Sequence, residues 1–325
     1  MKKIKLYSII SVLIAIVFFG TAALCNMCGI TLDTSATTSA TSTAAESKTS
    51  ETATETETTS VEETTAETTS ESNETIELVD LSKLLPVFAI ANDPGDQLIT
   101  FYSDEDVIDF EEFNGAIGDD GQFYTIEYVE KQDSNDQDSG RVVSDNFNNM
   151  EGYVYSVLGE NLIASNSYFI CNSGIINKDN LLTTVSAGTV VMDDETKTQI
   201  QDIKGRDLQQ GWIIDKYSDG AQVLIVVFEP EGNNLLMSIG LKTADGIKLK
   251  DYPVVSDGQS AWRVDDGGKI DPKLFSILFA TPTKEGILLI VSWAGAEGEN
   301  TLFLLEKADA LSQLPWEISR YWSAG

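Results

Sequence analysis

Histidine is missing from this chain of 325 residues. Its absence excludes Ser-His-Asp and Cys-His catalysis, His-ligated zinc sites and imidazole general-base chemistry supplied by the chain itself. Cysteine is scarce as well: Cys25 and Cys28 lie in or beside an N-terminal apolar run, and Cys171 stands alone in the rest. A single cysteine cannot form an internal disulfide framework, so we expect Cys171 to be a buried small hydrophobic residue.

Basic residues are few, with 21 Lys and Arg against 52 Asp and Glu, for a net charge of −31. Residues 78–325 alone carry 41 acidic and 17 basic side chains. Because binding to phosphates requires clustered Lys and Arg, nucleic acid is not an expected partner. The acidic balance favours solubility and permits cationic partners without requiring them.

Catalytic motifs are also absent. The chain has no Gly-x-x-x-x-Gly-Lys-[Ser/Thr] phosphate loop and no Gly-x-Ser-x-Gly nucleophile elbow. Carboxylates remain the abundant titratable groups, and glycoside hydrolysis requires two of them on opposite sides of a sugar. The candidate pairs are Asp119–Asp120 and Asp265–Asp266, although acids in turns are usually solvated surface residues.

One long hydrophobic run is present, at the N-terminus. Three lysines among the first five residues precede Leu6–Cys25, which is 20 residues long and uncharged. That length favours a membrane-spanning helix with the N-terminus in the cytoplasm and the remainder of the chain outside. Two alternatives stay open. Residues 21–23 suit a cleaved signal peptide, and Cys25 is a candidate for lipidation, although Leu24 occupies a position that normally holds a small residue.

Residues 31–77 contain 17 Thr, 8 Ser, 10 Glu and no aromatic residue. This composition cannot bury enough apolar surface to fold, and its like charges repel, so it predicts a disordered stalk. The predicted organisation is therefore an anchor or signal over 1–30, a stalk over 31–77 and an acidic body over 78–325. A polar segment at 131–150 is a candidate lobe boundary within that body.

The body is predicted to be mainly β, with antiparallel sheets in a sandwich or open barrel-like arrangement and a few short helices. Short β-branched or aromatic runs alternate with Gly, Pro, Asn and Asp turns, as in hairpins. The predicted strands are 122–129, 153–158, 168–171, 212–215, 222–229, 235–242, 247–250, 287–293 and 302–306.

Two of these runs, Val223–Phe228 and Ile287–Val291, are continuously apolar, which predicts strands covered on both faces. Helices are predicted over Ile76–Leu85, Glu195–Ile203 and Asp271–Phe279. The last of these is ambiguous with a strand, although Asp271 could cap a helix that has proline at its first position.

Asp136 and Asp138 resemble the start of a calcium loop, in which oxygen ligands alternate before a glycine. The resemblance is partial. A twelve-residue loop beginning at Asp133 would require glycine at 138 and an acid at 144, where the chain has Asp138 and Ser144. Calcium is the one cofactor that we consider, and otherwise we expect none.

All five tryptophans follow residue 211, and Trp262 and Trp293 lie near predicted loop ends. Aromatic side chains at loops stack on sugars or anchor protein partners, whereas those inside a β body fill its core. With Asp265 and Asp266 nearby in sequence, these tryptophans form the candidate binding site. We therefore expect a non-enzymatic surface module on a single-pass anchor in the cell membrane, binding an envelope glycan or protein. The alternatives are a carboxylate-dependent glycan hydrolase and an accessory subunit of a membrane complex.

Overall fold

The computed structural model describes residues 78–323, apart from Glu105, Ile108, 257–261 and 263–268. Within that part of the chain, fifteen strands form one closed barrel and two open sheets, and every pairing between strands is antiparallel. The fold is mainly β with few helices, which confirms this part of the sequence prediction.

The N-terminal third of the described chain forms the barrel. Its strands are β1 (Val87–Ala91), β2 (Gln97–Tyr102), β3 (Gly115–Ile117), β4 (Phe123–Gln132), β5 (Gly152–Leu158) and β6 (Ser167–Cys171). They follow the order β1-β2-β5-β4-β3-β6, and β6 pairs with β1 to close the ring. An even number of strands allows closure with antiparallel neighbours throughout, so no barrel edge is left unpaired. The polar segment 131–150 runs from the end of β4 toward β5, and these two strands pair with each other.

The second sheet has five strands in the order β11-β10-β9-β8-β7. They are β7 (Thr184–Val191), β8 (Leu208–Tyr217), β9 (Gln222–Phe228), β10 (Asn234–Thr243) and β11 (Gly246–Val255). Helix α1 (Asp194–Lys204) lies between β7 and β8 in the chain and covers the outer face of this sheet.

Helix α1 confirms the prediction over Glu195–Ile203, and its ends follow from local chemistry. The Thr196 backbone N–H donates to Asp193 Oδ1 at 2.8 Å, which caps the first turn. Gly205 ends the helix in the left-handed conformation, with φ 61°. The fully buried Ile200 packs against a cluster that includes Leu224 and Val226 of β9.

The third sheet has four strands in sequence order: β12 (Phe275–Thr283), β13 (Gly286–Ala294), β14 (Gly298–Glu306) and β15 (Leu311–Tyr321). Successive side chains of β13 point to opposite faces. Leu289 and Val291 pack with the five-stranded sheet, whereas Leu288 and Ile290 pack with the barrel. This sheet is therefore the middle layer, and burial on both faces explains the unbroken apolar run in β13.

Phenylalanines join the barrel to this middle layer. The Phe169 ring of β6 lies 5.3 Å from that of Phe279 in β12, and the Phe88 ring of β1 lies 6.0 Å from that of Phe303 in β14. All four side chains are almost completely buried. Buried aromatic pairs of this kind add about 0.5–1.5 kcal/mol each beyond their apolar burial.

One helix prediction was wrong, and the segment that was ambiguous between a helix and a strand is mostly a strand. Instead of a helix over Ile76–Leu85, the described residues have a short 3-10 turn at Leu81–Lys83. Val79 forms backbone hydrogen bonds with Pro282 and Lys284 at the end of β12, and this pairing competes with a helix.

Instead of a helix over Asp271–Phe279, a 3-10 turn at Pro272–Leu274 leads directly into β12. Asp271 does cap that turn, as expected, by accepting a hydrogen bond from the Lys273 N–H at 3.0 Å. Pairing with β13 then keeps the chain extended, because all residues of β12 except Leu278 gain a partner on that strand.

None of the helices in the described part of the chain combines the length and the apolar character that a membrane span requires. The predicted anchor and stalk, residues 1–77, lie outside the described residues.

Candidate functional site

Four aromatic side chains from four separate segments meet beside the contact between the two open sheets. They are Tyr252, Trp262, Phe275 and Trp293, called here the aromatic cluster. Trp262 Nε1 donates to the Tyr252 carbonyl at 2.6 Å. The Trp293 ring stacks on Phe275 with a centroid separation of 4.7 Å and meets Tyr252 edge-on at 6.4 Å. Tyr252 is thus the residue that connects the two tryptophans.

The two tryptophans of this cluster are partly exposed to solvent and also contact the hydrophobic core. Trp262 and Trp293 are each half-buried against apolar residues of the two open sheets. The Tyr252 hydroxyl is buried and has no hydrogen-bond partner among the described residues. Burial also raises the pKa of Tyr252 above its ordinary value, so the hydroxyl remains protonated. Half-buried indole rings can stack on the C–H face of a sugar, whereas the Tyr252 hydroxyl is covered by protein.

The structure brings together only some of the residues predicted for binding. Trp262 and Trp293 converge on Tyr252, which the sequence did not single out. Asp265 and Asp266 lie outside the described residues, as does Cys25, the lipidation candidate. Of the residues predicted for binding, the structure therefore describes only the two tryptophans.

A buried ion pair lies on the opposite face of the middle sheet. Arg320 Nε on β15 donates to Glu299 Oε1 on β14 at 2.8 Å, and the side chains are only 6% and 12% exposed. Ser167 Oγ, on β6 of the barrel, also donates to Glu299 Oε1. Arg320 Nη1 donates to the carbonyls of Ser165 and Val142, which lie in two barrel loops. These contacts join the barrel to the middle sheet.

Asp119 lies beside this ion pair, in the turn between β3 and β4. It retains contact with solvent, and its Oδ2 accepts a weak hydrogen bond from Asn166 Nδ2 at 3.3 Å. Surrounding protein still removes part of its hydration, and this raises the pKa of Asp119 to about 6. The charges of Asp120 and Glu299 add to the increase, and Arg320 opposes it. A carboxyl group with such a pKa can act as a general acid near neutral pH.

Hydrolysis would require a second carboxylate free to act on a sugar. Glu299 is held by Arg320 and Ser167, and its side chain is largely buried. In β14, Glu299 and the next residue, Asn300, point to opposite faces, and Asn300 pairs with Trp293. The aromatic cluster and Asp119 are therefore on different faces of the middle sheet, so these aromatics do not line a groove around Asp119.

The predicted metal residues lie in the loop between β4 and β5. Asp138 Oδ1 accepts from Asn146 Nδ2 at 2.8 Å and from the Gly140 N–H at 2.9 Å, and these bonds lower its pKa. Asp138 therefore shapes its own turn, while Asp136 is exposed. Within the described ranges, there is no group of three or more Cys, Asp or Glu side chains that could hold a metal ion.

Sequence reasoning missed Glu299 and Arg320, which are paired across neighbouring strands. No motif links them, because they are 21 positions apart and meet only through the register of β14 and β15. No protein-family model, curated protein or solved structure matches this chain.

Proposed function

We propose that this protein is a membrane-anchored surface module that binds a glycan of the bacterial cell envelope through the aromatic cluster. The observation that carries the proposal is the convergence of Trp262 and Trp293 on Tyr252. Two indole rings from separate segments form a small apolar surface of the kind on which proteins stack sugars.

The charge of the body narrows the class of glycan. Residues 78–325 carry 41 acidic and 17 basic side chains, so a polyanionic polymer would be repelled. Neutral or N-acetylated sugars meet no such barrier, because stacking on aromatic rings is insensitive to net charge. We therefore propose an uncharged oligosaccharide as the ligand.

Tryptophan fluorescence of the full-length chain in detergent tests this proposal, with chitohexaose as the probe. We expect the oligosaccharide to change the emission of the wild-type chain, and Trp262→Ala to weaken binding by roughly 10-fold or more, in line with the loss of one stacking contact. The matched control is Trp316→Ala, because Trp316 is also half-buried but packs against Phe303 on the other face of the middle sheet. Equal affinities for the two variants, or no binding by the folded wild-type chain, would refute the proposal.

The proposed location has its own test. A C-terminal tag on the full-length chain in intact cells should be cleaved by added protease, because an N-terminal anchor with preceding lysines leaves the body outside. A tag that stays protected until the cells are lysed would contradict the proposed topology, whatever the result with sugars.

A second candidate function is a glycan hydrolase that uses Asp119 as its acid. The observation that favours it is the pKa of Asp119, raised to about 6. Incubation of the full-length chain with the same oligosaccharide should then release reducing ends, and Asp119→Asn should reduce the rate by at least ~100-fold. Absence of release from the folded wild-type chain would eliminate this candidate.

A further inference from the structure

Lys250 lies on the inner face of β11, an edge strand of the five-stranded sheet. Side chains alternate along this strand, which pairs with β10 in unbroken register. Leu249 packs on the outer face, in the cluster that includes α1, and Asp251 forms an ion pair with Lys204 of that helix at 2.6 Å. Lys250 and Tyr252 therefore point to the opposite side, toward the middle sheet.

The two neighbours of Lys250 on this inner face each have a partner in the middle sheet. Lys248 forms an ion pair with Glu306 of β14 at 2.6 Å, and Tyr252 meets the Trp293 ring of β13 edge-on. Lys250, between them, forms no ion pair with any of the described residues. Its ammonium group instead lies 5.6 Å from the centroid of the Tyr252 ring.

A lysine without a carboxylate partner is unexpected here, because residues 78–325 carry 41 acidic and only 17 basic side chains. Its pairing partner on β10 is Ile239, which is fully buried in the core between the two open sheets. Lys250 itself is half-buried, so its stem packs along the core while its ammonium group stays at the edge. An ammonium group beside an aromatic face keeps N–H donors available to a further group.

We propose that Lys250 is the polar, specificity-determining contact of the aromatic cluster, an inference that rests on the proposed function. A sugar stacked on the Trp293 indole presents hydroxyl oxygens at its rim, and the Lys250 ammonium donates hydrogen bonds to them. The Tyr252 ring positions both groups, because the indole and the ammonium both lie next to it. Lys250 thus supplies the donor that the covered Tyr252 hydroxyl cannot supply.

Tryptophan fluorescence of the full-length chain in detergent, titrated with chitohexaose, tests this assignment. Lys250→Met keeps an unbranched stem and removes the donor, so affinity should fall roughly 10-fold or more, the loss expected for a hydrogen bond from a charged group. Lys250→Arg keeps a cationic donor and should retain most of the affinity. An inward-facing lysine on an edge strand can also prevent pairing with another sheet. Loss of that role alone would leave the affinity for the sugar unchanged.

Lys131→Met is the matched control, because the Lys131 ammonium also lies beside a tyrosine ring, that of Tyr153 at 5.9 Å, but on the barrel. It should bind chitohexaose like the wild-type chain. If the wild-type chain binds the sugar and Lys250→Met binds it equally well, this inference is overturned while the proposed function stands. Equal losses in Lys250→Met and Lys131→Met, or in Lys250→Met and Lys250→Arg, would also overturn it. Absence of binding by the folded wild-type chain would overturn both proposals.

Discussion

Arg320 and Glu299 form an ion pair at 2.8 Å across neighbouring strands, and both side chains are almost fully buried. The pair lies where the barrel meets the middle sheet, and each partner also bonds to the barrel. Because two charges compensate each other there, removal of one leaves the other buried without a partner. Stability at this junction therefore depends on both residues together.

Glu299→Gln should destabilise the fold by roughly 3–5 kcal/mol, the usual result of breaking a buried ion pair. Urea unfolding followed by circular dichroism measures the loss. The control is Glu151→Gln, which removes an exposed partner of Lys131 at 3.4 Å, with side chains 49% and 63% exposed. That change should cost less than about 1 kcal/mol. Similar losses in both variants would mean that the buried pair contributes no more than a surface pair.

Asp119→Asn should alter the pH dependence of stability. The folded chain binds a proton at Asp119 with a pKa of about 6, whereas the unfolded chain does so near 3.8. Between those values the folded state holds more protons, so stability falls as pH rises from about 4 to about 6 and remains lower above that window. The variant lacks this titration and should gain stability at pH 7 but not at pH 3.5.

The gain should be on the order of 1 kcal/mol, because solvent screens an exposed carboxylate and reduces the free energy below the value that its pKa would imply. Urea midpoints at the two pH values measure it. Asp309→Asn, which changes an exposed carboxylate in the turn between β14 and β15, should show no comparable gain. An equal gain at both pH values would show that Asp119 acts through packing rather than through charge.

Ile200→Ala in α1 should cost roughly 2–4 kcal/mol, because it leaves a cavity between the helix and β9. Ile203→Ala removes the same atoms from the same helix, but Ile203 is 53% exposed. The second change should cost less than about 1 kcal/mol. Chemical denaturation of both variants compares them directly, and equal losses would contradict the packing of α1 on the sheet.

Cys171 should not react with a thiol reagent in the native protein. It is 3% exposed within the contact between the barrel and the middle sheet, and burial raises the pKa of its thiol well above the ordinary value. In a chain that carries Cys25→Ser and Cys28→Ser, labelling should be at least ~100-fold slower than at an added exposed Ser103→Cys. Rapid labelling of Cys171 before unfolding would show that this contact opens readily.

Local chemistry made much of the secondary structure predictable. The hairpins of β9, β10 and β11 follow from Gly-containing turns between β-branched runs. Helix α1 follows from Asp193 at its start and Gly205 at its end, because both act within one helical turn. Covered strands were predictable wherever the apolar run was unbroken, as in β9 and β13.

Long-range pairing was not predictable in the same way. Residues 275–283 and the chain near Val79 became extended because distant strands offered backbone partners there. The spacing of residues along the sequence does not predict that six strands close into a barrel. It also does not predict that Trp262, Trp293 and Tyr252 meet.

The sequence by itself determined the β character of the body, its acidic charge and the chemistry that it lacks, because these depend on composition and on interactions between near neighbours. Only the tertiary structure decided which polar groups meet, as with Glu299 and Arg320 or Asp215 and Thr184. The physical reason is strand register: a shift of one residue would turn each of these side chains to the opposite face of its sheet.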